Sequence, residues 1–136
     1  MDIYSSQQRS EIMRSIRGTD TKPEMTVRRL VYSLGYRYRL HSKDLPGKPD
    51  LSFRSRKKAL FVHGCFWHRH NCTKGRSMPQ TNVAAWDRKF TRTMQRDARI
   101  RNELAAIQFD SVVIWECEIR RGSMDMLAKR IKDYLK

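Results

Sequence analysis

The chain has 136 residues and 29 Lys+Arg against 14 Asp+Glu, a formal net charge of +15 at pH 7. One domain over 1–136 is expected, since a chain of this size buries about two-thirds of the surface its unfolded form exposes, and 10% aromatic residues argue against disorder. A secreted or membrane protein is not expected, because no apolar run nears the roughly 18–20 residues of a membrane helix and the first residues lack a signal peptide's apolar stretch.

Ser5 to Arg17 reads as a basic helix, with Ile12, Met13 and Ile16 on one side, broken at Gly18-Thr19-Asp20. A second helix is predicted from about Thr21, with Pro23 and Glu24 in its first turn, where a missing N–H and a carboxylate are both favourable. It carries Met25, Val27, Leu30, Val31 and Leu34 and ends at Gly35. Tyr36, Tyr38 and Leu40 then alternate with Arg37 and Arg39, the mark of a half-buried strand. Lys43 to Pro49 is a turn-rich loop. Asp50 to Phe53 and Ala59 to His63 are two further strands, joined as a hairpin by the five residues Arg54 to Lys58.

A loop holding most of the Cys and His follows. Residues 82–107 form a long basic helix with Val83, Trp86, Phe90, Met94 and Leu104 among its apolar positions. Ser111 to Glu116 is an almost continuous apolar run, a strand of the buried kind. A closing helix from Ser123 to Tyr134 brings Met124, Leu127, Ile131 and Leu135 together at helical spacing. The expected class is α/β, one mixed sheet flanked by helices.

The charge is the signature of a polyanion-binding protein, because each neutralised phosphate releases condensed counterions. Three cysteines suit thiolates in a reducing cytosol better than a disulfide framework. Two of them, with three of the four histidines, fall within residues 63–72. Zinc takes four N or S ligands in a tetrahedron. Cys65, His70 and Cys72 can curl round one ion, and Cys117, at the end of the last strand, is the remaining thiolate. His63 or His68 could replace His70, and ordinary buried thiols are the plainer alternative. A closed structural site of this kind would stabilise the fold by ~10 kcal/mol.

Pro49-Asp50 opens one strand and Val62-His63 closes its hairpin partner. Neighbouring strands lie about 4.8 Å apart, so the Asp50 carboxylate and a backbone carbonyl can share one hard cation such as Mg2+. A divalent ion, a carboxylate and imidazoles make a kit for phosphodiester hydrolysis; the plainer alternative is Asp50 as a turn cap. Phe66 and Trp67, and Trp86 on the basic helix, suit stacking on bases as well as core packing. Arg88, Lys89, Arg92, Arg96, Arg99 and Arg101 supply phosphate contacts, and Asp97 among them could orient an imidazole.

Three strings together, Leu45-Pro46-Gly47-Lys48-Pro49-Asp50, the run from Phe61 to Cys72, and Ile114-Trp115-Glu116-Cys117, resemble the very short patch repair (Vsr) DNA mismatch endonucleases. Met13, Glu24, Trp86 with Lys89, and Arg96-Asp97 extend the likeness from about residue 5 to the C-terminus. The resemblance implies a restriction-endonuclease-like core with a structural zinc site. It also implies a cytoplasmic, nucleoid-associated monomer of bacterial type that nicks double-stranded DNA 5′ of the thymine in a T·G mismatch. Such mismatches arise by 5-methylcytosine deamination, so functional pairing with a DNA cytosine-5 methyltransferase follows.

By motif, Asp50 and the Val62 carbonyl would hold Mg2+, and His63 and His68 would move protons or contact phosphate, supported by Glu24 and Asp97. Zn2+ would sit on Cys65, His70, Cys72 and Cys117. Phe66, Trp67 and Trp86 would wedge into the duplex, with Lys89 and Arg96 contacting DNA. Residues 5–17 would form a DNA-contacting helix carrying Met13 to the minor-groove side.

The chain departs from the family's run of histidines with His68-Arg69-His70-Asn71, where Arg69 could add a phosphate contact. The Glu-x-Lys of the wider restriction-like group is replaced by Phe61-Val62-His63, so a catalytic lysine there is not expected. Two other function classes fit the residues less completely. A non-catalytic, zinc-stabilised DNA-binding module would bind without cutting, and a restriction-type double-strand endonuclease would need a dimer.

Overall fold

Thr21 caps the first helix of the computed structural model, which describes residues 20–136, by accepting a hydrogen bond from the Glu24 amide at 3.3 Å. The 5–17 helix and Met13 lie outside the described residues. Helix α1, Lys22–Ser33, has Pro23 in its first turn and buries Val27 and Val31. Gly35 follows with φ +93°, a backbone conformation that costs glycine nothing.

The strand expected from Tyr36 to Leu40 is only β1, Arg39–Leu40, and Leu40 is 43% exposed. Its partner explains the shortening. Strand β2, Leu51–Phe53, has three residues and pairs antiparallel with β1 through Arg39↔Ser52 and Leu40↔Leu51, leaving no ladder for 36–38. Tyr36 and Tyr38 still pack against the core, and Tyr38 meets Phe53 edge-on at 6.4 Å. A 3-10 turn, Arg54–Arg56, with Lys57 at φ +53°, closes the expected hairpin onto β3, Lys58–His63.

The Cys/His segment is more ordered than a loop: it contains two one-turn helices, α2 (Cys65–His68) and α3 (Thr73–Arg76). Helix α4, Val83–Ala106, then crosses over to β4, Asp110–Trp115, which runs parallel to β3. The sheet order is β1-β2-β3-β4. As the last strand in that order β4 is less enclosed than its apolar sequence suggests, and only Ile114 is fully buried. A short helix that periodicity does not predict, α5 (Glu116–Arg121), follows directly, and α6, Met124–Leu135, closes the chain.

Period-two alternation along β3 separates two cores. Leu60 joins Val27, Val31, Leu51, Phe53 and Ile114 under α1 and α6, where Leu127, Ile131 and Leu135 complete the layer. Ala59 and Phe61 face the other way, onto Leu104 of α4. Each such buried side chain contributes roughly 1.5–3 kcal/mol. Met124, Val83 and Met94 stay exposed rather than joining either layer. Helices thus cover both faces of a mixed sheet, and the end of β3 carries candidate functional residues. Among the described residues no helix is long and apolar enough to cross a membrane.

Candidate active site and cysteine–histidine centre

The antiparallel register of β2 and β3 sets Asp50 against the last residues of β3. Its Oδ2 accepts the Val62 amide at 2.7 Å, so the contact seen is with the amide of the residue whose carbonyl was expected to share a cation. Burial pushes the Asp50 carboxyl up to about 7, and the adjacent Glu24 carboxylate adds to the rise, while the Val62 N–H and Arg28 oppose it. A buried carboxylate with a second carboxylate beside it is an environment that a divalent cation relieves, and the open cleft leaves room for waters. The residues therefore fit a hard, oxygen-seeking ion.

Glu24 is 2% exposed. Its Oε2 meets the Arg28 guanidinium and lies 3.0 Å from His41 Nε2. His41 is a site residue that sequence reasoning does not reach: it stands outside the histidine cluster, and the signal is its place directly after β1. Asp20, Glu24 and His41 come close enough to share an ion, but Arg28 already occupies the space between the two carboxylates.

His63 and His68 stack face to face, their centroids 3.7 Å apart and planes 8° from parallel. His68 Nδ1 lies 2.7 Å from Asp97 Oδ2 on α4. Burial raises the Asp97 carboxyl, but the hydrogen bond and charge of His68 outweigh it and hold the group below the ordinary range. His63 is pushed down to about 3 by burial, with the His68 charge adding to the fall, so it is neutral at pH 7. Its Nδ1 is buried without a partner among the described residues. The carboxylate fixes the proton of His68 on Nδ1 and leaves Nε2 for proton exchange.

Two clefts, of about 580 and 440 Å³, meet at Asp50, Val62, His68 and Arg96. The larger also takes in His63 and Asp97, and the smaller takes in Glu24, Trp67 and Lys89.

The structure separates the four clustered residues from this cleft. One ligand atom from each of Cys65, His70, Cys72 and Cys117 lies within 4.8 Å of all the others. His63 and His68 group with Asp97 instead, so His70 is the imidazole that stands beside the three thiols. His70 Nδ1 is 3.4 Å from Cys117 Sγ and 3.8 Å from Cys65 Sγ, distances close to the edges of a tetrahedron with metal–ligand bonds of about 2.0–2.3 Å. Backbone amides of Cys117 and Gly75 each donate to a sulfur at 3.4 Å, as outer partners of thiolate ligands do. Burial pushes the Cys65 thiol up to about 12, so a thiolate there needs a cation. Gly75 is obligatory, since a Cβ would sit 1.9 Å from the His70 carbonyl oxygen.

Beside the smaller cleft, Phe66, Trp67, Trp86 and Phe90 form one aromatic cluster, with Phe66–Phe90 centroids 5.1 Å apart and Trp67–Trp86 5.7 Å. The first three are half-buried, and Lys89 Nζ sits 4.7 Å over Trp67 and 5.6 Å over Trp86. Arg69 differs from expectation. Its guanidinium lies 4.0 Å over the Phe90 ring and donates to the Ser77 carbonyl at 2.5 Å, so it is engaged internally rather than presented to a phosphate.

The family model described as DNA mismatch endonuclease Vsr matches residues 1–74. A type II nicking enzyme of Xanthomonas oryzae pv. oryzae, V.XorIIP, is 42% identical over 134 residues, covering 98% of this chain and 96% of its own. V.NmeAIP, a type II nicking enzyme of Neisseria meningitidis, is 39% identical, covering 97% of each chain. The DNA mismatch endonuclease Vsr of Escherichia coli is 29% identical over 98% of this chain and 87% of its own.

Proposed function

The chain belongs to the Vsr family of DNA mismatch endonucleases, and we propose that it nicks one strand of duplex DNA 5′ of the thymine in a T·G mismatch left by 5-methylcytosine deamination. The observation that carries this reading is the opening of Asp50, His63 and the His68–Asp97 pair onto one cleft bordered by Arg96.

Asp50 and the Val62 carbonyl would hold Mg2+, which when bound supplies charge neutralisation at the phosphate and a more acidic attacking water. His68, its Nδ1 proton fixed by Asp97, takes the proton of that water at Nε2. Neutral His63, stacked on His68, offers a hydrogen bond to a phosphate oxygen without adding a second cation. Glu24, held by Arg28 and His41, keeps a carboxylate beside Asp50 and so maintains its appetite for a cation. Phe66, Trp67 and Trp86 wedge beside the mismatch, Lys89 and Arg96 contact DNA, and Met13 on the 5–17 helix enters from the minor-groove side.

Cys65, His70, Cys72 and Cys117 would hold Zn2+, tying the α2–α3 segment to the far end of β4. The whole chain acts as one monomeric domain in the bacterial cytoplasm, working beside a DNA cytosine-5 methyltransferase whose sites generate the mismatches. A nicking assay on T·G and matched T·A duplexes with Mg2+ tests the proposal. Single-strand nicks confined to the T·G duplex and lost in Asp50→Ala are expected; an equally active Asp50→Ala protein refutes the catalytic assignment.

A further inference from the structure

The loop from His41 to Asp50 is rich in turn residues, yet it is pinned at every stage. The His41 amide donates to the Asp50 carbonyl at 3.3 Å. The Ser42 and Ser52 hydroxyls meet at 2.8 Å in a buried contact, and Leu45 is buried. Gly47, at φ +74°, is pressed against Ile100 of α4, and a Cβ there would lie 2.6 Å from that side chain.

Between its ends the loop has one carboxylate, Asp44, which is engaged by Arg54 at 2.5 Å, and Lys43 and Lys48 have no ion-pair partner among the described residues. Lys48 has φ +46° although it precedes a proline, a position that ordinarily favours extended backbone. Strain held by such surroundings is a sign of function.

The consequence is a groove with two basic lips. Lys43 and Lys48 line the larger cleft from the loop side, and Arg96 and Arg101 line it from α4. Among the described residues none of these four forms an ion pair with a carboxylate. Trp67 of the aromatic cluster lines the other cleft, and Asp50 is among the residues where the two meet.

We infer that Lys43 and Lys48 form, opposite Arg96 and Arg101, a phosphate-binding channel for the cleaved DNA strand on the side of the scissile bond away from the mismatch. This rests on the function proposed above for the location of the cut. The ligand is a run of backbone phosphodiesters, read by charge and not by base. The pinned loop would bind it pre-organised, with little ordering cost.

A binding cycle tests this with the full chain in the absence of Mg2+, so that affinity alone is read. The protein Lys43→Gln/Lys48→Gln keeps most of the side-chain stems and removes two charges; Lys129→Gln/Lys132→Gln on α6, outside both clefts, removes the same number and controls for net charge. Duplexes carry charge-neutral methylphosphonate linkages at successive positions on one side or the other of the nick.

On unmodified DNA the double variant should bind several-fold more weakly, with a salt slope lower by roughly 1 per lost contact. Neutral linkages just 5′ of the nick should abolish the difference between parent and variant, and linkages on the mismatch side should leave it intact. A loss that survives the 5′ neutral linkages, or one matched by Lys129→Gln/Lys132→Gln, overturns the channel. Failure of the parent to nick a T·G duplex would refute the proposed function separately. Positive coupling confined to consecutive phosphates on that 5′ flank would still establish the channel.

Discussion

His68 Nδ1 lies 2.7 Å from Asp97 Oδ2, across 29 residues of sequence, because α4 crosses the sheet face just where α2 ends. This contact orients the imidazole and fixes its tautomer. Replacing Asp97 by Asn keeps the shape but lets Nδ1 become the acceptor, so Nε2 holds the proton it should be free to take. The nicking rate of Asp97→Asn should fall by about 10²–10⁴-fold, with DNA affinity nearly unchanged. Single-turnover kinetics beside a binding titration separate the two quantities. A loss carried by affinity instead of rate would show Asp97 to be a binding residue.

Asp50 links stability to function. In the absence of a divalent ion, burial and the neighbouring Glu24 hold it at about 7 against an ordinary 3.8. Between those values the folded chain keeps a proton that the unfolded chain has released. The associated stabilisation is complete below pH 3.8 and is lost as pH rises through 7. Asp50→Asn never carries the buried charge. It should therefore melt above the parent at about pH 8 without Mg2+, by at most about 4 kcal/mol in stability, less what Glu24 shares. Nicking by this variant should be abolished. Mg2+ must compete with the same proton in the parent, so its apparent affinity should drop up to about tenfold per pH unit below 7. Parallel thermal melts and Mg2+ titrations across that range give both answers, and a variant that melts lower than the parent would contradict the assignment.

The four-residue centre predicts dependence on zinc. Purified protein should carry one tightly held Zn2+, and Cys117→Ala should lose it together with most of the metal-dependent stabilisation, ~10 kcal/mol. Gly75→Ala should do the same without removing a ligand side chain, because its Cβ would strike the His70 carbonyl oxygen and displace that residue. Elemental analysis and melting temperature check both variants. If the thiols are ordinary core residues, Cys117→Ala should cost only about 1–2 kcal/mol and the protein should contain no zinc.

Much of this site is legible in the sequence because its chemistry is concentrated in rare residue types. Cys65, Cys72 and Cys117 exhaust the thiols, and Asp97 stands out as a carboxylate within a run of arginines. The choice among His63, His68 and His70 is not legible in their spacing, and only the family resemblance singles out His70. It depends on the αL turn at Arg69 (φ +55°), which sends His70 back to the thiols while His68 remains over His63. His41 is invisible for a related reason: its tie to Glu24 joins a strand end to a helix start through tertiary packing alone. Apolar pattern also overstates the length of β1, which its three-residue partner limits, and the burial of β4, which lies last in the sheet order although its extent matches.

Arg69 provides the sharpest separation between a DNA contact and an internal brace. Its guanidinium is stacked on Phe90 and bonded to Ser77, and Phe90 supports Phe66 at 5.1 Å. Arg69→Ala should therefore lower stability by about 0.5–2 kcal/mol through the lost cation–π contact and leave the salt dependence of DNA binding unaltered. Trp67→Ala should weaken binding to T·G duplexes by one stacked base, about 1–3 kcal/mol, in addition to the stability lost with its packing against Phe66 and Trp86. Binding isotherms at several salt concentrations, run beside thermal melts, distinguish the two. A reduced salt slope in Arg69→Ala would mean that the guanidinium leaves Phe90 and grips a phosphate when DNA is bound.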